Sequence, residues 1–189
     1  LANASATIAE GEVLQLTAAA DLATTEEIYF KVVRGKTAAL FSAAMQVGGV
    51  IADAGEDKVK ALFAYGDALG ISFQIVDDLL DYGGKDAIGK NVGDDFRERK
   101  LTLPVIRAIA AGDADERTFW KRTIGKGQQD DGDLDRAMSI LARHGAMRST
   151  RDTALEWAEK AKAALVPIPD HDLKSMLIDL ADYVVERIS

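Results

Sequence analysis

Apolar residues recur through most of this chain with the spacing of amphipathic helices, among many alanines. Runs of β-branched residues bounded by turn signals, which are typical of strands, are few. Glycine, proline and short polar clusters separate the apolar segments. The pattern predicts helices over residues 1–20, 24–33, 36–53, 56–82 and 102–111, and about four shorter helices after residue 111.

The predicted ends of the second helix depend on local signals. Thr24, followed three residues later by Glu27, matches a capping box with Thr24 as the N-cap. The helix runs through Val33, and Gly35 is expected to end it. A new helix is then expected to begin at about Lys36.

The composition supports an all-α fold. Hydrophobic residues make up 48% of the 189 residues, aromatic residues make up 6%, and there are three prolines. This length is enough for one domain with a sizeable core. Because no repeat or linker is evident, we expect a single helical domain over residues 1–189.

Charge and residue usage exclude several classes of protein. The net charge of −8 argues against a nucleic-acid-binding protein, which would carry a basic face. No segment reaches the roughly 18 consecutive apolar residues of a membrane span, and no signal peptide is evident. The chain has no cysteine, which excludes disulfides and thiolate metal sites. The absence of cysteine fits a reducing compartment, so we expect a cytoplasmic protein.

A row of acidic residues interrupts the apolar stretch SFQIVDDLLD. Gln74, Asp77, Asp78 and Asp81 have the spacing that places them on one face of a helix. A solvated charged face is one interpretation. However, the surrounding helix is apolar enough to be buried, and clustered carboxylates near a core repel each other and resist desolvation. Oxygen ligands with open positions suit Mg²⁺, so we favour a magnesium site.

The glycine-rich loop that follows favours a phosphate partner. Lys90 and Lys100 supply positive charge, and we expect residues 83–99 to form a lid over a phosphate group. Residues 84–90 also spell G-x-x-x-x-G-K, close to a nucleotide-binding P-loop. That motif requires Ser or Thr next and a strand before it. Asn91 follows instead and a helix precedes, so the match is accidental.

Lys36 and Thr37 follow Gly35 at the predicted start of the third helix. Taken alone, this pattern is best explained by a lysine whose stem covers apolar surface. Helix N-termini also attract anions, which leaves a phosphate contact as the second interpretation.

Four stretches, taken together, resemble one protein family. GKTAALF, FQIVDDLLD, GKNVGDD and RKLTLP occur in this order and at the spacing found in the C-terminal portion of trans-isoprenyl diphosphate synthases. The resemblance covers nearly the whole chain. It implies an all-α bundle around a central cavity, of the isoprenoid synthase type, and a homodimer. It also implies a Mg²⁺-dependent condensation of an allylic diphosphate with isopentenyl diphosphate.

The resemblance assigns roles to individual residues. The metal ligands are Asp77, Asp78 and Asp81, and the substrate-binding residues are Lys36, Thr37, Gln74, Lys90 and Lys100. Lys36, Thr37 and Gln74 are also the implied catalytic residues: Thr37 and Gln74 line the reacting centre, and a backbone carbonyl near Lys36 is expected to contribute there. Asp95 matches a carboxylate that orders the lid, and Glu12 and Gln15 are expected to face the cavity.

Three aspects remain open from the sequence. The stretches resemble the long-chain polyprenyl branch more than the farnesyl branch. A class I terpene cyclase and a non-catalytic subunit of a heteromeric synthase are alternatives, although the lysine set favours elongation. The family's first aspartate-rich motif is absent from residues 1–20. We therefore expect the bundle to be incomplete at its N-terminus and the 189 residues alone to be inactive.

Overall fold

The computed structural model of the protein describes residues 2–83 and 92–188, and every regular element within them is helical. The α-helices are α1 (Ala2–Ala18), α2 (Glu26–Val33), α3 (Ala39–Ile51), α4 (Glu56–Gly83), α5 (Asp94–Arg97), α6 (Leu103–Ala111), α7 (Ala114–Trp120), α8 (Asp133–Arg143), α9 (Ala146–Ala164) and α10 (Asp172–Glu186). Two π-helical segments, the first π-turn (Arg34–Ala38) and the second π-turn (Lys121–Gly125), follow α2 and α7. The all-α prediction is confirmed.

Residues 26–51 form one continuous helix, in which the first π-turn joins α2 to α3. The N–H of Ala39 donates to the carbonyl of Arg34, five residues back, which is π-helical spacing. The prediction that Gly35 ends a helix is therefore wrong. Gly35 lies where α1 crosses this helix, and a Cβ on Gly35 would lie 3.0 Å from the Cα of Gly11. The missing side chain is needed for this close approach, so a tertiary contact explains the glycine.

The N-cap of α2 is Thr25 and not Thr24. The side-chain oxygen of Thr25 accepts a 3.3 Å hydrogen bond from the N–H of Ile28. The hydroxyl of Thr24 instead donates to the carbonyl of Ala18, at the end of α1, at 3.1 Å. The predicted capping box is therefore wrong by one residue, because Thr24 is used to join α1 to the start of α2.

The central helix of the fold is α4, which packs along both α3 and α9. Gly66 and Gly70 allow the close contact with α3, since a Cβ on either would lie 2.6 Å from the backbone of Phe41 or Ala38. Apolar side chains of α4 fill the core; among them are Leu69, Ile71, Ile75, Val76 and Leu79. Each such side chain contributes roughly 1.5–3 kcal/mol on burial. This packing fixes the rotation of α4 and therefore the side from which its aspartates project.

By length and composition, α4 is also the one helix among the described residues that could cross a membrane. Of its qualifying 18-residue stretch, 56% is buried inside the protein. Such burial is usual for the central helix of a folded core. The prediction of no membrane segment is not tested by this result and stays a prediction.

A second apolar cluster lies beyond Tyr82 at the C-terminal end of α4. Phe96 of α5 packs against Trp120 with ring centroids 6.4 Å apart, and Trp120 packs against Phe119 at 5.0 Å. The segment predicted as a loop thus contains a short helix, α5, anchored by a buried phenylalanine. Residues 84–91 lie outside the described part of the chain, so the predicted lid is not tested there.

Candidate active site

A cavity of about 270 Å³ lies between α1, the helix of residues 26–51, α4 and the segment after α5. Its polar wall consists of Gln15, Thr24, Lys36, Thr37, Gln74, Asp77, Asp78, Asp95, Lys100 and Thr102, and its other lining residues are Ala18, Ala19, Tyr29, Val32, Val33 and Leu101. Six of the eight predicted site residues therefore meet in one cavity. Asp81 is absent from the wall, and Lys90 lies outside the described residues.

Four side chains form a hydrogen-bonded row at the cavity. The Thr37 hydroxyl donates to Gln74 Oε1 at 2.9 Å, and Gln74 Nε2 donates to Asp78 Oδ1 at 2.9 Å. The Tyr29 hydroxyl donates to Asp78 Oδ2 at 2.6 Å. Gln74 and Asp78 meet because they are four residues apart on α4. Since Thr37 uses its only proton in this row, the remaining capacity of its oxygen is that of an acceptor.

Lys36 is held at the cavity by two side chains of α1. Its Nζ lies 2.7 Å from Gln15 Oε1 and 3.0 Å from Glu12 Oε1. Gln15 lines the cavity as the resemblance implied, whereas Glu12 lies outside the wall. Lys36 sits within the first π-turn and not at a helix start, so the second interpretation of its position, an anion bound at a helix N-terminus, is wrong. An anion here would meet the Lys36 ammonium group and not unpaired backbone N–H groups.

Lys100 follows α5 and is the second lysine of the described cavity wall. Its Nζ lies 2.9 Å from Asp95 Oδ1 and 2.7 Å from Glu98 Oε2. Partial burial lowers the pKa of Lys100, but hydrogen bonds to both carboxylates outweigh it and raise the pKa above its usual value.

The three predicted metal ligands of α4 point to different surroundings. Asp77 is half-buried in the cavity wall, and Asp78 is buried in the row described above. Asp81 faces α5, where its Oδ1 and Oδ2 each accept a 3.1 Å hydrogen bond, from the N–H groups of Asp94 and Asp95 respectively. Among the described residues, no three Asp, Glu, His or Cys side chains lie close enough to hold a metal ion. The three carboxylates thus do not converge as one ligand cluster, and their metal-binding role stays a prediction.

The environment makes two of these carboxylates weak acids. Burial raises the pKa of Asp78 to about 7, against two hydrogen bonds that lower it, and the charges of Asp95 and Asp77 raise it further. Burial, and then the charge of Asp95, raise the pKa of Asp81 to about 6. Burial and the charge of Asp78 raise the pKa of Tyr29 well above its usual value, so Tyr29 stays a donor. Crowded, desolvated acids of this kind favour a nearby cation.

The donor atoms at this wall fit a divalent cation with oxygen ligands. Asp77, Asp78 and Asp95 bring carboxylates to the same cavity, and an oxygen that accepts one hydrogen bond retains a further lone pair. Mg²⁺ is commonly bound by one or two carboxylates together with waters and substrate phosphates. Asp77, on the cavity wall, is the residue best placed to hold such an ion.

Tyr29 lines the cavity and bonds Asp78, but the sequence pattern did not predict it as a site residue. It shares a buried face of α2 with Val32 and Val33, so its position is typical of a core residue. Its partner, Asp78, is 49 residues away in the chain. The only signal in the sequence was general: a buried tyrosine usually requires a hydrogen-bond partner for its hydroxyl.

Solved structures match this fold along the whole chain. A decaprenyl diphosphate synthase from Rhodobacter capsulatus superposes with a TM-score of 0.95 and 68% sequence identity, over 100% of this chain and 58% of that one. A polyprenyl synthase from Caulobacter crescentus, complexed with calcium and isoprenyl diphosphate, superposes with a TM-score of 0.94 and 46% identity, over 100% of this chain and 58% of that one. The predicted all-α fold of the isoprenoid synthase type is confirmed.

Sequence comparison agrees with the structural match. The octaprenyl diphosphate synthase of Escherichia coli is 41% identical over 181 residues, which are 95% of this chain and 56% of that protein. The chain thus spans little more than half the length of this curated relative. The family model for polyprenyl synthetase matches residues 1–141, which include all four stretches that carry the resemblance and every predicted site residue. The chain belongs to the polyprenyl synthetase family.

Proposed function

We propose that this chain carries the allylic diphosphate site of a trans-prenyltransferase, which condenses an allylic diphosphate with isopentenyl diphosphate. One observation carries the proposal: Lys36 and Lys100 line the same cavity as Asp77 and as the acceptor oxygen of Thr37. One cavity thereby combines cationic groups that can bind a diphosphate, carboxylates that can bind a cation, and a neutral acceptor oxygen that can face a reacting carbon.

The two lysines are suited to bind the diphosphate. Each ammonium group has three donors and no acceptor, so it can retain a protein partner while donating to a phosphate oxygen. Lys36 contacts Glu12 and Gln15, and Lys100 contacts Asp95 and Glu98, which holds both Nζ atoms at defined positions. As the carbon–oxygen bond breaks, negative charge grows on the diphosphate, and these positive charges stabilise it.

Mg²⁺ is the cation that we propose for this site. When bound, it would stabilise the departing diphosphate as a Lewis acid. Asp77 would hold it from the cavity wall, while Asp78 and Asp81 support the site through their charge and through contacts with neighbouring helices. The oxygen donor set supports this choice, as does the calcium in the similar Caulobacter crescentus structure.

The remaining wall suits a reactive hydrocarbon. Loss of diphosphate leaves an allylic cation, which needs nearby lone pairs but no strong nucleophile. The oxygens of Thr37 and Gln74 supply such dipoles without forming a bond. Val32, Val33 and Leu101 limit the access of water, which would quench the cation. The released diphosphate can take the final proton, so no histidine base is required.

We extend the proposal to a long-chain polyprenyl product and to a homodimer. The similar proteins named decaprenyl and octaprenyl diphosphate synthases support the long-chain product. The same names and the two cavity lysines favour a synthase over a class I terpene cyclase. Intact cation- and diphosphate-binding side chains in one cavity argue against a non-catalytic subunit. The homodimer rests on family resemblance.

Calorimetry with a non-hydrolysable thiolo analogue of an allylic diphosphate, in the presence of Mg²⁺, tests the proposed site. We expect saturable, Mg²⁺-dependent binding by the chain. Lys36→Met and Lys100→Met should each weaken it about tenfold or more, because a hydrogen bond to a charged group contributes roughly 1.5–3 kcal/mol. Lys126→Met, an exposed lysine outside the cavity, is the matched control. No binding, or equal binding by all variants, would contradict the proposal.

A further inference from the structure

The N-terminal end of α5 is bonded to a single residue of α4. The carboxylate oxygens of Asp81 accept the N–H groups of Asp94 and Asp95, and its carbonyl accepts the N–H of Gly93 at 2.8 Å. The first N–H groups of a helix have no partner within the helix, so three consecutive amides depend on Asp81. Asp81 is only 6% exposed and is not part of the cavity wall.

The C-terminal end of α5 is bonded to the segment after the second π-turn. Gln129 Nε2 donates to the carbonyl of Phe96 at 2.8 Å and to the carbonyl of Thr123 at 3.3 Å. Phe96 lies in α5 and Thr123 lies in the second π-turn, so one side-chain amide joins the two elements. Gln129 is itself outside the cavity wall, and its bond to Phe96 links it to the cavity through α5.

A tight turn then brings the chain from α5 back to the cavity. The N–H of Lys100 donates to the carbonyl of Asp95 and the N–H of Arg99 donates to the carbonyl of Phe96, which is a Schellman motif. Arg99 has a left-handed φ of 60°, a conformation that is unfavourable for a residue with a side chain. The guanidinium of Arg99 packs closely on Gly127, where a Cβ would lie 2.6 Å from Nη1. The turn therefore relies on surrounding contacts, and it brings Asp95 Oδ1 to within 2.9 Å of Lys100 Nζ.

We propose that Asp81 and Gln129 are positioning residues, which clamp the two ends of α5 and thereby hold Asp95 and Lys100 in the cavity wall. This inference rests on the proposed diphosphate site and assigns Asp81 an indirect role in it, through α5 and not as a metal ligand. The chemistry explains why an aspartate stands at position 81. A carboxylate offers two acceptor oxygens to two adjacent N–H groups, whereas an asparagine offers one acceptor and opposes the other N–H with its own donors.

Hydrogen exchange of the full chain tests the clamp without any ligand. Asp81→Asn and Gln129→Met should each accelerate exchange of the amides of residues 93–100 about tenfold, as expected for the loss of one hydrogen bond. Gln128→Met changes the neighbouring, exposed glutamine side chain and should leave these rates unchanged. Unchanged exchange in both Asp81→Asn and Gln129→Met would overturn the proposal.

Titration with inorganic diphosphate in Mg²⁺ tests the consequence for the site. Asp81→Asn and Gln129→Met should weaken binding several-fold while each variant remains folded by circular dichroism. In a Lys100→Met background, Gln129→Met should weaken binding less than it does in the unmodified chain, because part of its effect passes through Lys100. If Gln129→Met weakens binding as strongly in the Lys100→Met background as in the unmodified chain, the positioning role of Gln129 is overturned. If Asp81→Asn weakens diphosphate binding but leaves hydrogen exchange of residues 93–100 unchanged, Asp81 acts as a direct ligand and its positioning role is overturned.

If the unmodified chain binds no diphosphate, the proposed function fails, and with it the role of the clamp in that site. The exchange comparison requires no ligand, so it still decides whether Asp81 and Gln129 hold α5.

Discussion

The hydroxyl of Tyr29 donates a 2.6 Å hydrogen bond to Oδ2 of Asp78 and joins α2 to α4 across 49 residues of sequence. Both residues are buried, so neither atom can exchange this partner for bulk water. The bond is one end of the row that passes through Gln74 to Thr37. The orientation of the candidate catalytic hydroxyl therefore depends on a tyrosine in the adjacent helix.

Tyr29→Phe should destabilise the protein by about 1–3 kcal/mol, because it leaves a buried carboxylate oxygen without this donor. The matched control is Tyr183→Phe, since Tyr183 is 63% exposed and its change should fall within about 0.5 kcal/mol of zero. Urea unfolding of both variants measures the difference. Equal stability of the two variants would show that the Tyr29 bond does not contribute.

Asp78 should make stability depend on pH when metal is removed by a chelator. Its pKa is about 7 in the folded chain and 3.8 without the fold, so the folded chain binds more protons between these values. The contribution of Asp78 is therefore fully present below about pH 4 and is lost as the pH rises towards 7. Relative to Asp78→Asn, the wild type should lose unfolding free energy over this range. A difference that does not change with pH would contradict the prediction.

Asp77→Asn should reduce the Mg²⁺ dependence of diphosphate binding with little effect on folding, because it removes a charge and almost no volume. Calorimetry with the allylic thiolo analogue, with and without Mg²⁺, measures this dependence. Asp57→Asn, at an exposed position in the first turn of the same helix, is the control. Unchanged Mg²⁺ dependence in Asp77→Asn would exclude Asp77 as a ligand.

Glu12→Gln should tighten diphosphate binding up to about fivefold. Glu12 pairs with Lys36 at 3.0 Å, and a partly exposed pair of this kind contributes at most about 1 kcal/mol. Without that carboxylate, the ammonium of Lys36 is more available to an anion. Glu27→Gln disrupts an exposed pair with Lys31 outside the cavity and should leave binding unchanged. Weaker binding by Glu12→Gln would indicate that Glu12 positions Lys36 for the anion and does not compete with it.

Gly11→Ala should destabilise the protein by about 1–3 kcal/mol and displace Lys36. The new Cβ would lie 2.6 Å from the backbone nitrogen of Lys36 and 2.7 Å from the carbonyl carbon of Gly35, and neither atom belongs to a flexible side chain. Gly48→Ala is the opposite control, because nothing lies within 4 Å of its Cβ and alanine is the better helix residue. Thermal unfolding should therefore show a lower midpoint for Gly11→Ala and a higher one for Gly48→Ala. A neutral Gly11→Ala would show that the α1 crossing tolerates a side chain.

The sequence by itself determined the features that depend on short-range geometry. The helical period placed Gln74, Asp77, Asp78 and Asp81 on one helix, α4, because side-chain direction within a helix follows from spacing alone. The all-α class followed in the same way, from apolar spacing and composition. The order of four short stretches also identified the family, since each stretch is local and independent of packing.

Local sequence signals predicted helix ends wrongly at two residues that make tertiary contacts instead. Gly35 resembles a helix stop, yet α1 requires a glycine there for close packing against Gly11. Thr24 resembles an N-cap, yet its hydroxyl joins α1 while Thr25 caps the helix. In both cases the residue type indicated a special structural role, but the tertiary contact determined which role it was.

The partners of the site residues were decided only by the tertiary structure. Lys36 meets Gln15 across 21 residues, and Asp78 meets Tyr29 across 49 residues. Asp81 shares a helix face with Asp77, yet folding of the following segment directs its carboxylate to the amides of α5. Spacing along a helix fixes which side chains project together, but hydrogen-bond partners depend on which other backbone arrives at that face. The packing of the whole core determines which segment lies against that face, and no short stretch of sequence specifies this packing.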